Sequence, residues 1–145
     1  MSRAADLLAR KKAGGVISVA PSISVRDACR VLTDRNIGAL FVLDGAEYVG
    51  VFTERDVVKR VVAEGRDPET TRIRDVMTPK VIFVKPDREI DEIEAIMRQE
   101  RIRHVAVAGE AGLVGIVSIG DVTAWHADEE HQKVEYLTEY LYGRA

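Results

Sequence analysis

Apolar positions along the chain switch between two periods. Short β-branched runs at 16–19 and 81–84 read as strands, and each is followed by a proline, Pro21 or Pro86, that cannot donate to a ladder. Helical spacing then takes over. Val25, Ala28, Cys29 and Leu32 recur at intervals of three and four, as do Ile90, Ile93 and Met97. Ser24, with Asp27 three positions on, has the form of an N-terminal capping box. Two more strands follow at 37–43 and 48–52, joined through Asp44-Gly45, which supplies the positive backbone angles of a tight hairpin. The corresponding later pair turns between Gly109 and Gly112. A further helix begins at Thr53 and stops near Gly65.

The order strand, helix, strand, strand, helix therefore occurs twice, and the residues repeat with it. At an offset of 65, Val16-Ile17, Val19 and Pro21 fall on Val81-Ile82, Val84 and Pro86. Ile37, Val42, Val49-Gly50 and Asp56-Val57 fall on Ile102, Val107, Val114-Gly115 and Asp121-Val122. From 16 to 57, 11 of 42 positions are identical. About 50 residues bury too little apolar surface to be comfortable alone. The expected fold is therefore α/β, with two β-α-β-β-α repeats packed through their sheets around a pseudo-twofold axis. Its expected organisation is an N-terminal segment 1–15, repeat one at 16–65, a connector 66–79, repeat two at 80–127, and a C-terminal helix and tail at 128–145.

Composition narrows the function classes. Residues of 46% hydrophobic and 31% charged type describe a globular chain, and 145 of them suit one compact module. Twenty-one basic against 24 acidic residues leave a net charge of −3, so no global cationic field attracts nucleic acid. The excess acid sits in the last 19 residues, leaving a neutral body. No apolar run approaches the ~18 to 20 residues that span a bilayer, and Met1–Gly15 is too charged for a signal peptide. A single cysteine, Cys29, excludes an intrachain disulfide, and its apolar spacing marks a core residue. The expected location is the cytoplasm, with neither membrane nor nucleic acid as a partner.

Candidate chemistry lies where each hairpin meets its second helix, at Gly50-Val-Phe-Thr-Glu-Arg-Asp56 and Gly115-Ile-Val-Ser-Ile-Gly-Asp121. A hydroxyl residue three before an aspartate is a capping box. It is also a recognition set, because a helix start offers N–H donors to a phosphate and a carboxylate can hold a ribose diol. Both roles can coexist.

These paired units, the Val76-Met-Thr-Pro79 before the second copy and the twice-occurring Gly-apolar-apolar-Thr/Ser-x-x-Asp resemble a tandem cystathionine-β-synthase (CBS) domain pair of the stand-alone bacterial type, over about residues 16–127. The resemblance implies a regulatory module that binds adenosine compounds in clefts between the repeats, AMP foremost, with ATP, NAD(H) or S-adenosylmethionine as alternatives. It also implies a disc that assembles as a homodimer and acts on an effector protein in trans.

Carried over by position, the resemblance puts Asp121, Ser118, Gly120, Arg103 and His104 in a first cleft, opposite Val16, Ile17, Ser18, Ile37 and Gly38. A second cleft would use Asp56, Thr53 and Arg55 with Val81, Ile82, Ile102 and Arg103. Because Gly38-Ala39 stand where the second copy has Arg103-His104, the second cleft is expected to lack a basic pair. Arg55 faces either a phosphate or solvent. Ala13-Gly14 replace Thr78-Pro79, a departure in the segment leading into the first copy.

No G-x-S-x-G elbow, P-loop, H-E-x-x-H or G-x-G-x-x-G occurs, so no enzyme, catalytic residue or catalytic cofactor is expected. Turnover of bound NAD(H) would have only His104 as proton donor. His126 and His131 are five apart and turn to different helix faces, which argues against a metal site. Beyond the second copy Val134, Leu137 and Leu141 form one helical stripe with Tyr136 and Tyr140 beside it, and Gly143 ends the helix. That stripe suits a dimer contact, or an adaptor function without any nucleotide. Ala4, Ala5, Leu7 and Leu8 suggest a smaller amphipathic turn at the other end.

Overall fold

The computed structural model describes residues 2–11 and 17–142. Val16, Ala13-Gly14 and Gly143 lie outside them. Helix α1 (Ala4–Arg10) is followed by β1 (Ser18–Val19), α2 (Val25–Arg35), β2 (Ala39–Asp44) and β3 (Glu47–Thr53). A helix α3 (Glu54–Asp56) continues as π-helical turns over Val57–Val62. After a 3-10 turn at Ile73–Asp75 come β4 (Phe83–Val84), α4 (Ile90–Glu100), β5 (His104–Gly109), β6 (Gly112–Ser118) and α5 (Ile119–Tyr142). The repeated β-α-β-β-α order is present, and the second copy's last helix runs unbroken into the C-terminal one.

Each repeat forms a three-stranded sheet, β1-β2-β3 or β4-β5-β6, with its first pair parallel and its hairpin antiparallel. The hairpin turns rest on Gly45, at φ 63, and Gly112, at φ 113, as the positive angles of tight turns require. Ser24 caps α2 by accepting from the Asp27 N–H at 3.1 Å, but Asp27 does not return the bond, so only half of the expected box forms.

Three apolar clusters make the core. One joins Val25, Ala28, Leu32, Leu40, Val42 and Phe52 between the α2 face and the inner face of the first sheet, with Cys29 packed at its edge. Its counterpart joins Ile90, Ile93, Met97, Val105, Val107 and Val117 in the second repeat. The third lies between the sheets, where Phe41 and Val51 meet Ala106, Tyr48, Val81, Leu113 and Ile116. Phe41 and Ala106 are equivalent at the offset of 65, as are Val51 and Ile116, so the interface has the pseudo-twofold symmetry that two half-sized units need. Large Phe41 faces small Ala106, which lets the seam close-pack.

Each repeat is also completed by the segment leading into the other one. Ala4 and Leu7 of α1 are buried in the second repeat's core, and Ala4 N–H and Ala5 N–H donate to the Arg88 and Pro86 carbonyls at 2.8 and 2.9 Å. In the same way Ile73 and Val76 of the connector are buried in the first repeat's core, and Thr78 exchanges two 2.9 Å backbone bonds with Val51. The motif glycines make this approach feasible. A Cβ on Gly50 would stand 2.6 Å from the Thr78 carbonyl oxygen, and one on Gly115 2.9 Å from Leu8. The N-terminal turn expected from Ala4 to Leu8 is therefore a structural part of the second repeat.

Candidate functional site: two unlike clefts between the repeats

Because the repeats pack sheet to sheet, the start of each central strand comes opposite the aspartate junction of the other repeat. Two cavities result. The first, of ≈ 310 Å³, brings Ser118 and Asp121 together with Ile17, Asn36, Ile37, Gly38 and His104, and adds Leu8, Lys11 and Val114. The second, of ≈ 350 Å³, brings Thr53, Arg55 and Asp56 together with Ile102, Arg103 and His104, and adds Lys59, Arg60, Thr78, Lys80 and Arg101. His104 borders both.

The aspartates share one local motif but differ in availability. Asp121 Oδ2 accepts the Ser118 N–H at 2.8 Å, and the Asp121 N–H donates to Ser118 Oγ at 3.0 Å, a reciprocal capping box. Lys11 Nζ lies 2.8 Å from the same carboxylate oxygen and also donates to the Ile116 carbonyl at 2.9 Å. Oδ1 of Asp121 has no hydrogen-bond partner among the described residues, and the side chain remains 22% exposed. Asp56 is buried. Its Oδ2 accepts from Thr53 N–H at 2.9 Å and Thr53 Oγ1 at 3.2 Å, its Oδ1 from Thr78 Oγ1 at 3.2 Å, and Arg60 Nε stands 3.7 Å away. Both capping boxes are therefore real, and only Asp121 keeps an oxygen open to a ligand.

The cations distribute differently from the sequence expectation. Arg103, expected in both clefts, is exposed and lines the second but not the first, since the strand start 101–104 reaches across to the other repeat's aspartate just as 36–39 does. The cleft expected to lack a basic pair is thus the basic one. His104 does not serve as a cation, because burial, with Lys11 beside it, holds its imidazole down at about 4. Among the described residues, Lys11 is the first cleft's one cation. Gly120 and Ser18 are exposed outside the first cleft's lining. Val81, packed between the sheets, and Ile82, whose carbonyl accepts from Ala106 N–H, are not among the residues lining the second cleft. Arg101 and Lys11 escaped notice in the sequence. The offset of 65 pairs Arg101 with Asn36, which was a usable signal, whereas only the fold brings Lys11 to Asp121.

A cavity of ≈ 890 Å³ lies elsewhere, between α4, α5 and Ser2, lined by Trp125, His126, Glu129 and Leu137. It is larger than either cleft and lies away from both aspartate junctions, with Asp91, His126 and Glu129 in its lining. Glu129 accepts from Ser2 Oγ and Trp125 Nε1 at 2.9 and 2.8 Å, which hold its carboxyl below the usual range. His126 Nε2 stands 3.1 Å from Glu94 and 3.6 Å from Asp91 on α4, partners that no spacing within α5 reveals, while His131 pairs with Glu135.

The family model of the CBS domain matches residues 4–63 and 73–128, both copies together with their leading segments. The chain belongs to the CBS-domain family. A CBS-domain protein from Agrobacterium tumefaciens of known structure is 36% identical, with a TM-score of 0.74 over 87% of this chain and 99% of that one. Another, from Burkholderia ambifaria, is 35% identical, with a TM-score of 0.76 over 84% of this chain and 91% of that one. The mitochondrial CBS domain-containing protein CBSX3 of Arabidopsis thaliana is 34% identical over 83% of this chain. This chain spans 61% of that relative's length. CBS pairs are in general regulatory, ligand-binding modules. No helix among the described residues is long and apolar enough to cross a membrane.

Proposed function

We propose that this CBS pair is a regulatory sensor that seats the nucleoside of an adenosine nucleotide in its first cleft. The observation that carries this reading is the open Oδ1 of Asp121, which a ribose diol can reach, beside the apolar walls of Ile37 and Val114 that suit a purine. Lys11 and the Ser118 hydroxyl stand ready for the α-phosphate. With Lys11 as the one cation among the described residues of this cleft, AMP fits best, ahead of ATP, NAD(H) and S-adenosylmethionine. The polar groups form a recognition set and aim no activated nucleophile or base at a bond. His104 is neutral and burial pushes the Cys29 thiol up, so neither is an activated acid or nucleophile, in keeping with a binding role.

Signalling requires two states with different ligand affinities. The sheet-to-sheet seam beside Phe41 is the element whose packing a bridging ligand would bias, for readout by an effector protein in trans. A homodimer is supported by α5, which leaves Val134, Leu137 and Leu141 more than half exposed along one stripe, with Tyr136 and Tyr140 stacked beside it. The same stripe favours the second reading, an adaptor with no nucleotide. Native mass spectrometry of the purified protein, followed by denaturation, tests both. A dimer releasing an adenosine compound supports the sensor; a protein that gains no adduct from AMP, ATP, NADH or S-adenosylmethionine supports the adaptor.

A further inference from the structure

The second cleft departs from the first in both halves of the recognition set. Its carboxylate is spent. Asp56 is buried with both oxygens engaged by Thr53 and Thr78, so a ribose diol finds no open acceptor there. Around that closed aspartate stand six cations, Arg55, Lys59, Arg60, Lys80, Arg101 and Arg103. Two of them have local work, because Lys80 pairs with Glu100 and Arg60 donates to the Met77 carbonyl at 2.7 Å. Arg55, Lys59, Arg101 and Arg103 have no acidic partner among the described residues. In a chain whose net charge is −3, four unpaired cations around one cavity repel one another until an anion arrives.

Arg101 sharpens the point. It ends α4 with φ at 55°, a left-handed conformation that Asn or Gly adopts at least cost, and its counterpart Asn36 sits at φ 51° beside the first cleft. Arginine at such a position is locally unfavourable, yet it delivers a guanidinium into the cavity. Arg103 likewise replaces Gly38.

We infer that the second cleft is a site for a linear oligophosphate, a chain of two or more phosphates, and not a second nucleoside site. A single phosphate uses two or three donors. A di- or triphosphate engages Arg101, Arg103, Arg55 and Lys59 together, with the forked guanidinium geometry that suits phosphate oxygens. Because His104 borders both clefts, the chain can be either the tail of a nucleotide whose nucleoside occupies the first cleft or a free oligophosphate. This inference rests on the adenosine reading only for the former source.

Isothermal titration of the full chain with tripolyphosphate, orthophosphate, adenosine and ATP tests it, on the natural sequence and on two variants. Arg101→Asn with Arg103→Gly installs the first cleft's residues at positions that tolerate them, and equal melting temperatures establish that the variant folds. Asp121→Ala addresses only the first cleft. The expected results are tripolyphosphate binding at least about tenfold tighter than orthophosphate, loss of at least about tenfold in the double variant, and no change in Asp121→Ala. ATP binding weakened by both variants identifies the nucleotide tail. ATP no tighter than tripolyphosphate and insensitive to Asp121→Ala identifies a free oligophosphate. Tripolyphosphate bound no tighter than orthophosphate, or equally well by the double variant, overturns the inference. Adenosine binding unaffected by Asp121→Ala instead counts against the adenosine reading alone.

Discussion

Lys11 holds its ammonium 2.8 Å from Oδ2 of Asp121, 110 positions later in the chain. The contact ties the segment leading into the first repeat to the capping-box aspartate of the second, and it places the one cation of the first cleft among the described residues. Lys11→Ala should therefore weaken AMP binding by roughly tenfold while leaving adenosine binding nearly unchanged, because only AMP carries a phosphate. Paired titrations with the two ligands measure the ratio. Equal losses for both would show that Lys11 shapes the nucleoside seat.

The two motif glycines should not tolerate alanine equally. At Gly50 the added Cβ meets the Thr78 carbonyl at 2.6 Å, backbone that is itself bonded to Val51 and cannot yield. At Gly115 it meets the end of the Leu8 side chain at 2.9 Å, which can rotate. Gly50→Ala should cost about 1–3 kcal/mol and Gly115→Ala less than about 1 kcal/mol. Urea unfolding of both variants gives the comparison, and a reversed order would contradict the packing.

His104 makes stability depend on pH. Its imidazole is held at about 4 in the folded protein, against an ordinary value near 6.5. Between those values the unfolded chain binds a proton that the folded chain refuses, so stability falls as pH drops from about 6.5 to 4 and is level above that window. The loss reaches up to about 3 kcal/mol. In His104→Gln this contribution should vanish, leaving a flatter profile in urea unfolding at pH 7 and pH 5. An unchanged slope would assign the effect to other groups.

Leu137→Glu on the exposed stripe of α5 should convert a dimer to a monomer in light scattering, with a melting temperature close to the natural protein's, since the position supports no intrachain core. A stable dimer in this variant would move the contact elsewhere, with exposed Val58 and Val62 of the π-helical turns after α3 the next surface to substitute.

Periodicity made the repeat legible because core positions of the strands and of α2 and α4 recur at one offset, from Phe41 and Ala106 at the seam to Ile37 and Ile102 at the clefts. The paired capping-box aspartates, Asp56 and Asp121, were legible for the same reason. What escaped the sequence was whatever depends on one repeat reaching the other. Local alternation cannot say how residues 101–104 divide between Asp56 and Asp121: Arg103, expected in both clefts, lines the second alone, and His104 borders both. Nor can it say that Leu7 completes the second core, or that Lys11 neutralises Asp121, because those contacts span most of the chain. The open state of Asp121 and the closed state of Asp56 likewise depend on Thr78, whose role follows from the crossing of leading segments.

In the proposed sensor, Asp121 holds the ribose of an adenosine nucleotide. Titration of AMP into the natural protein and into Asp121→Ala tests it most directly. Loss of a charge-assisted bond pair should weaken binding by about 1.5–3 kcal/mol, some ten- to 150-fold, with a smaller change in urea stability. Affinity for AMP that is the same in both proteins would contradict the account.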